Sequence, residues 1–146
     1  MGNESVSQSL KLFIVLSRAY KALNEQVNKI IQTYGLNPTE FAVLELLYHK
    51  GDVPLQQIGE KILLASGSIT YVVDKLEQKG LLKRIACPKD RRVTYAQITD
   101  EGKAFMEDIF PEHAKQIDQL MSSLSEPEKS EAIDLLKKLG IPAGKF

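Results

Sequence analysis

The chain has 146 residues, 43% hydrophobic and 26% charged, which suits one domain with a core or one domain with a long extension. Its 19 basic and 19 acidic residues cancel overall, but residues 61–99 carry a net charge of +5 and the rest carries −5. A positive segment favours a polyanionic partner. The single cysteine excludes an internal disulfide framework. Because no apolar run has transmembrane length and the N-terminus lacks a signal-peptide pattern, we expect a cytoplasmic protein without membrane contact.

The first third of the chain predicts two helices. Apolar residues spaced three and four apart indicate a long helix from Leu10 to Tyr34, with Gly35 as its C-cap. The motif NPTEF then predicts the start of a second helix, with Asn37 as N-cap and Glu40 three residues later. This helix is expected to end at Gly51.

The middle of the chain predicts a helix-turn-helix. A short third helix opens near Leu55, and the segment ASGS interrupts it. Either Ser66 or Ser68 caps a fourth helix, which ends at QKG with Gly80 as its C-cap. Two helices joined by a tight turn, the second with a polar outer face, are typical of this motif.

A β-hairpin should follow the fourth helix. The runs LLKRIAC and VTYAQI favour strands, and they flank the turn that holds Asp90, Arg91 and Arg92. A hairpin in this position is a wing. Thr99 then serves as the N-cap of a fifth helix, with acidic residues in its first turn that suit the helix dipole.

Two helices complete the chain. The fifth helix runs towards Leu124, and Pro111 should kink or split it. Ser125 and Glu128 form a capping box for the last helix, which is expected to bury Ile133, Leu136 and Leu139. The predicted fold is mainly α with a small β-hairpin wing, a winged helix-turn-helix in the order H-H-H-H-E-E-H-H.

The positive segment has the chemistry for binding double-stranded DNA. The fourth helix offers small polar side chains and a lysine to the major groove, where hydroxyls reach bases and phosphates. At the wing, one arginine should enter the negative minor groove, and the other, with Asp90, should fix the shape of the turn. The candidate DNA-binding residues are Ser66, Gly67, Ser68, Thr70, Tyr71, Lys75, Lys89, Asp90, Arg91 and Arg92.

The motifs SITYVVDKLEQKGLLKR and PKDRRVTYAQITDEG resemble the signature of the MarR family of winged-helix transcription regulators. The resemblance rests on the run Asp74–Glu77, on Gly80, on the triplet Asp90–Arg92, and on Thr99 with Gly102. It covers nearly the whole chain, residues 1–146, and within the family it is greatest to the phenol- and quinone-responsive type. Tyr71 stands where the family often has arginine, which departs from its pattern of base contacts.

The resemblance implies a homodimeric repressor bound to a pseudo-palindromic operator. It implies that residues 38–98 form the DNA-binding lobe, and that residues 10–36 and 100–140 form the dimerisation helices. Arg92 would enter the minor groove and Asp90 would orient it. Independently of the family, the terminal helices carry more apolar surface than one winged-helix core can cover. A two-fold axis would place the recognition helices about 34 Å apart, one turn of DNA.

Regulation would come from a small aromatic effector bound between the dimerisation helices and the DNA-binding lobe. Such a ligand can act only by favouring a spacing of the two lobes that misses the half-sites. The candidate pocket residues are Phe13, Tyr20, Tyr34, Phe41 and His49.

Two alternatives remain open from the sequence. The wing and the Tyr71 face could dock on a partner protein, although such a face would not need basic residues on both the helix and the wing. Cys87, at the base of the wing near Lys83 and Lys89, could be a redox-sensing thiol, and oxidation would then give an inter-subunit disulfide or a capped thiol.

No catalytic, cofactor or metal motif is evident, so an enzyme is not expected. The sequence lacks a Gly-rich phosphate loop, a nucleophile motif and a pair of catalytic carboxylates on one helix. His49 and His113 lack ligand partners at metal-binding spacing. We expect His49 to favour the C-terminal end of its helix dipole and His113 to be exposed.

Overall fold

The computed structural model describes residues 2–62 and 69–144, which contain six α-helices and three short strands. This confirms a mainly α winged helix-turn-helix and adds one strand to the predicted order. The chain forms two compact units, Met1–His113 and Ala114–Phe146. The elements are α1 (Gly2–Gln32), α2 (Pro38–Lys50), β1 (Val53–Pro54), α3 (Leu55–Lys61), α4 (Ile69–Gln78), β2 (Leu82–Ala86), β3 (Thr94–Ile98), α5 (Asp100–Leu120) and α6 (Glu126–Gly140).

The sheet has the antiparallel order β1-β3-β2, and it contains the predicted hairpin. Leu82 pairs with Ile98 in the β2–β3 ladder, and Val53 pairs with Ala96 in the β1–β3 ladder. The sequence did not predict β1 because it is only two residues long and ends in Pro54. A proline lacks the amide donor that a central strand needs, but an edge strand tolerates it.

The junction between α1 and α2 is closed by the predicted capping box. The Asn37 side chain accepts a hydrogen bond from the Glu40 amide at 2.8 Å, and Glu40 Oε1 accepts one from the Asn37 amide at 2.9 Å. Two donors that the helix start would leave unpaired are therefore satisfied. Gly35, before the cap, has a φ of +81°, which L side chains rarely adopt.

Thr99 links the end of α4 to the start of α5. Its hydroxyl donates to the Gly80 carbonyl at 2.7 Å and accepts from the Gly102 amide at 2.9 Å. Its own amide donates to the Leu81 carbonyl at 3.1 Å. A Cβ on Gly102 would collide with that carbonyl, which explains why glycine occupies this position. The predicted N-cap role of Thr99 is confirmed.

The core lies in the first unit and fixes the orientation of α4. Its largest fully buried side chains come from α2, α3, α4, β2 and α5, and Ala96 of β3 is fully buried in the same cluster. The inner face of α4 contributes three buried residues, so its opposite face points to solvent. The largest fully buried side chains are Leu44, Leu47, Ile58, Leu76, Leu82, Met106, Val43 and Val73.

The C-terminal helices differ in part from the prediction. Helix α5 ends at Leu120 and is continuous through Pro111, so Pro111 does not split it. The capping box of Ser125 and Glu128 is present. The burial predicted for α6 is wrong for the single chain, since its apolar face is exposed at Ile133, Leu136 and Leu139.

Helix α1 is longer than predicted at its N-terminus. It begins at Gly2 rather than at Leu10. Within residues 2–62 and 69–144, no helix is both long enough and apolar enough to span a bilayer.

Candidate nucleic-acid interface and effector cavity

The outer face of α4 presents Thr70, Tyr71 and Lys75 to solvent. Tyr71 is 60% exposed, and the Lys75 ammonium lies 5.4 Å from the centre of its ring, which gives a cation–π contact. These two residues are one helical turn apart and form one surface. The predicted residues Ser66, Gly67 and Ser68 lie outside the described part of the chain.

The wing turn holds Arg92 through Asp90. The Asp90 carboxylate accepts hydrogen bonds from the Arg92 amide at 3.0 Å, from Nε at 3.1 Å and from Nη2 at 3.3 Å. The hydrogen bonds from the Arg92 side chain, followed by the one from its amide, lower the pKa of Asp90. One expectation was that Asp90 pairs with the arginine that does not enter the minor groove. In the structure Asp90 instead pairs with Arg92, as the family resemblance implies.

The Arg92 side chain is 91% exposed, so the contact with Asp90 restrains it without burying it. Arg91 and Lys89 are also exposed on this turn. The turn is closed by a hydrogen bond from the Cys87 amide to the Val93 carbonyl at 3.0 Å. Gln56 of α3 donates to the Arg92 carbonyl at 3.5 Å, which connects the helix-turn-helix to the wing.

Arg84, in β2, pairs with two acidic residues of α4. Its Nη2 lies 2.5 Å from Asp74 Oδ1, and its Nη1 lies 2.6 Å from Glu77 Oε1. The hydrogen bond to Asp74 is the largest of the effects that raise the pKa of Arg84. This contact offsets the negative charge of Asp74 and Glu77, and it joins α4 to the wing. Sequence reasoning missed it, although the spacing of the two acids puts them on one helix face.

A cavity of about 460 Å³ lies among α1, α2, the end of α3 and His113 of α5. Of the predicted pocket residues, Tyr20, Phe41 and His49 line it. Tyr34 is not among the lining residues, but its ring centre lies 6.0 Å from that of Phe41. Phe13 is not among the lining residues and is 69% exposed in the single chain.

Tyr34, Phe41 and His113 form a cluster at one wall of the cavity. The ring centres of Phe41 and His113 are 4.6 Å apart, and the Tyr34 hydroxyl lies 3.2 Å from His113 Nδ1, at hydrogen-bond distance. His113 is 6% exposed, so its predicted exposure is wrong. Burial lowers the pKa of His113, which favours the neutral imidazole. Burial, with a smaller effect from the charge of Glu112, raises the pKa of Tyr34.

Glu45 adds a carboxyl group to the lining of the same cavity. Burial raises the pKa of Glu45, and the nearby His49 partly offsets that effect. A half-buried carboxyl among aromatic rings can accept a hydrogen bond from a hydroxyl group. Sequence reasoning missed both Glu45 and His113 as cavity residues, because each is a single polar residue whose neighbours come from other helices.

Cys87 is a half-buried free thiol at the end of β2. It contributes to the wing through its amide, and nothing in its surroundings tests the predicted redox role. Among the residues that the structure describes, no group of histidine, cysteine and carboxylate side chains is arranged to hold a metal ion.

Comparisons with known proteins agree with the fold. Residues 36–94 match the MarR family. The HTH-type transcriptional regulator MhqR of Bacillus subtilis strain 168 is 66% identical over 139 residues, which cover 95% of this chain and 96% of that protein.

Two solved structures are similar along most of the chain. One is Bordetella bronchiseptica BpsR, whose DNA binding is regulated by 6-hydroxynicotinic acid. The two structures have a TM-score of 0.74 at 27% sequence identity, and the match covers 86% of this chain and 90% of the BpsR chain. The other is NadR in complex with 4-hydroxyphenylacetate, with a TM-score of 0.72 at 25% identity, covering 86% of this chain and 89% of its own.

Proposed function

This chain belongs to the MarR family, and from that premise we propose that it is a homodimeric repressor that a small phenolic or quinone-like ligand releases from DNA. It is a transcription regulator that binds DNA, as is its relative from Bacillus subtilis. Regulators of this family are generally non-enzymatic, and we propose a cytoplasmic location, where the operator is found.

The contact between Asp90 and Arg92 carries the DNA-binding part of the proposal. It holds a highly exposed guanidinium on the tip of a turn, and that group suits the narrow minor groove. The outer face of α4, with Tyr71 and Lys75, would then lie in the adjacent major groove. Ser66, Gly67, Ser68 and Thr70 are proposed to contribute to the same surface, and Lys89 and Arg91 to contact phosphates.

The exposed apolar faces of the terminal helices support the dimer. In α1 they include Val6, Leu10 and Phe13, and in α6 they include Leu136 and Leu139. Exposed apolar surface of this extent marks an interaction site. A second copy of the chain is the simplest partner, because a two-fold assembly presents two identical lobes to a pseudo-palindromic operator. We assign residues 38–98 to the DNA-binding lobe, and residues 10–36 and 100–140 to dimerisation.

The chemistry of the cavity supports a hydroxylated aromatic effector. Its walls carry aromatic rings, the buried His113 favours its neutral form, and Glu45 offers an acceptor for a ligand hydroxyl. The ligands in the BpsR and NadR studies are hydroxylated aromatic acids. For this chain, Glu45 offers an acceptor for the hydroxyl of a phenol or hydroquinone, and Lys50 and Lys61 line the same cavity.

A binding experiment with Arg92→Ala tests the DNA-binding mode. The purified protein is titrated with the duplex upstream of its own gene, or with a duplex from random-site selection, at two salt concentrations. We expect salt-sensitive binding that the substitution weakens by about tenfold or more. Arg18→Ala, which removes an exposed arginine of α1 outside the positive segment, should have the same mass in solution as the wild type and bind DNA equally well.

Two results would count against the proposal. If no duplex binds the wild-type protein tightly, the docking of the wing on a partner protein becomes the better interpretation. If both arginine variants bind equally well, the minor-groove role of Arg92 is wrong. No observation in the structure favours the protein-docking module or the Cys87 redox switch over the DNA-binding repressor.

A further inference from the structure

Lys79 connects the end of α4 to the junction between α1 and α2. It directly follows α4, and its amide still donates to the Lys75 carbonyl at 3.1 Å, so it moves with the helix. Its ammonium donates to Glu40 Oε2 at 2.9 Å and to the Gly35 carbonyl at 3.3 Å. Lys79, the residue after α4 (the proposed recognition helix), therefore binds both ends of a junction 39 to 44 residues away in sequence.

Glu40 is a fixed anchor for this lysine. It is 5% exposed, and its other carboxylate oxygen accepts the Asn37 amide in the capping box. A buried carboxylate needs compensating partners, and here a backbone donor and the Lys79 ammonium supply them. Because both oxygens of Glu40 are bonded, its carboxylate moves with the junction, and a displacement of the junction changes the position that the Lys79 ammonium must occupy.

The same junction forms part of the wall of the effector cavity. Tyr34 directly precedes Gly35, and Phe41, which lines the cavity, directly follows Glu40. Each residue that binds Lys79 is therefore next to an aromatic residue of the cluster that contains His113. Both rings contact His113, at 5.8 Å and 4.6 Å between centres. Segment 34–41 therefore contacts both His113 of the cavity and Lys79 at the end of α4.

We propose that Lys79 is a positioning residue that couples the effector cavity to the recognition helix. A ligand that displaces Phe41 or His113 shifts segment 34–41, and Lys79 passes that shift to the end of α4. The inference rests on the proposed function and specifies a route for its regulation. Because coupling between two sites is reciprocal, DNA bound to α4 must also alter the surroundings of His113.

Reciprocity allows a test that needs no identified effector. The chain has two histidines, so their ring signals can be followed by NMR in labelled protein and assigned with His49→Gln. The DNA probe is the duplex that the wild-type protein binds most tightly, added to saturation. We expect the His113 signals of the wild type to shift, and the shift to fall below about half in Lys79→Met while DNA affinity stays within about threefold.

Three further variants separate coupling from a purely structural effect. Lys79→Arg keeps the ion pair and should restore the shift. The double variant Glu40→Gln and Lys79→Met avoids an unpaired buried charge, keeps the capping acceptor, and should still lack the shift. Lys83→Met removes an exposed lysine of β2 that has no place in the link, and it should respond as the wild type does.

The outcomes distinguish failure of the coupling from failure of the proposed function. If the wild type binds no duplex, the proposed function fails and the coupling fails with it. If DNA binds but the His113 signals of the wild type stay fixed, or shift equally in Lys79→Met, the coupling is wrong and the repressor proposal stands. Loss of DNA binding in both Lys79→Met and the double variant would also overturn the coupling, because Lys79 would then be needed for binding itself.

Discussion

His113 is a buried titratable residue of the cavity, and its burial makes the stability of the folded chain depend on pH. Burial places the pKa of the folded state below the ordinary value of 6.5. When the pH falls below 6.5, the unfolded chain takes up a proton that the folded chain does not, until the lowered pKa is reached. The free energy of unfolding therefore decreases as the pH falls through this window.

Replacing His113 with phenylalanine tests this sign. The substitution keeps an aromatic ring beside Phe41 but cannot take up a proton, so the decrease in stability between pH 7.5 and pH 5.5 should be smaller than in the wild type. Urea unfolding at both pH values, at one protein concentration, measures the difference. Glu45, whose raised pKa gives the opposite slope at lower pH, is common to both proteins. Equal slopes would show that His113 makes no contribution.

At the scale of the elements, two glycines differ in what a methyl group would meet. Gly102, in the first turn of α5, would clash with the Leu81 carbonyl, whereas Gly59, inside α3, would meet Ile69 Cγ1 at 3.7 Å, an ordinary contact. We expect Gly102→Ala to lower the free energy of unfolding by about 1–3 kcal/mol because backbone must move. Gly59→Ala should raise it by about 0.5–1 kcal/mol, since alanine is the better helix former.

Denaturant unfolding of both variants at the same protein concentration checks the pair. Each substitution adds one methyl group to a helix, so the two serve as controls for each other. A Gly102→Ala variant as stable as the wild type would mean that β2 and α5 can separate at little cost.

Patterns within a few residues of sequence predicted the helices and the hairpin. Features that depend on tertiary packing were not predicted. The caps at Asn37, Thr99 and Ser125 were predictable because a cap depends on residues three positions apart. Strand β1 was not, because only its pairing with β3 makes those two residues a strand. The candidate site divides in the same way: the exposed residues of α4 and the wing follow from residue type and order. Glu45, His113 and the partners of Arg84 depend on which helices meet.

At the scale of the whole molecule, the exposed apolar faces of α1 and α6 lead us to expect a dimer. Leu10→Glu, on a 60% exposed position of α1, places a charge within the proposed dimer interface. The mass in solution, measured by light scattering, should fall from two chains towards one. DNA affinity should fall as well, because two half-sites are no longer bound together.

Gln8→Glu, an exposed polar position on the same helix, adds the same charge and should leave the dimer intact. A wild-type protein that is a single chain at micromolar concentration, or a Leu10→Glu variant with unchanged mass, would contradict the proposed interface.

The Thr99 hydroxyl has a consequence for how the protein opens. It is bonded at once to the last turn region of α4, through Gly80, and to the first turn of α5, through Gly102. Each helix end has its own hydrogen bond to this one hydroxyl, so a displacement of Thr99 weakens the bonds at both ends, and we expect the two ends to open together. The free energy of local unfolding at the end of α4 therefore depends on the stability of α5 as well as on that of α4.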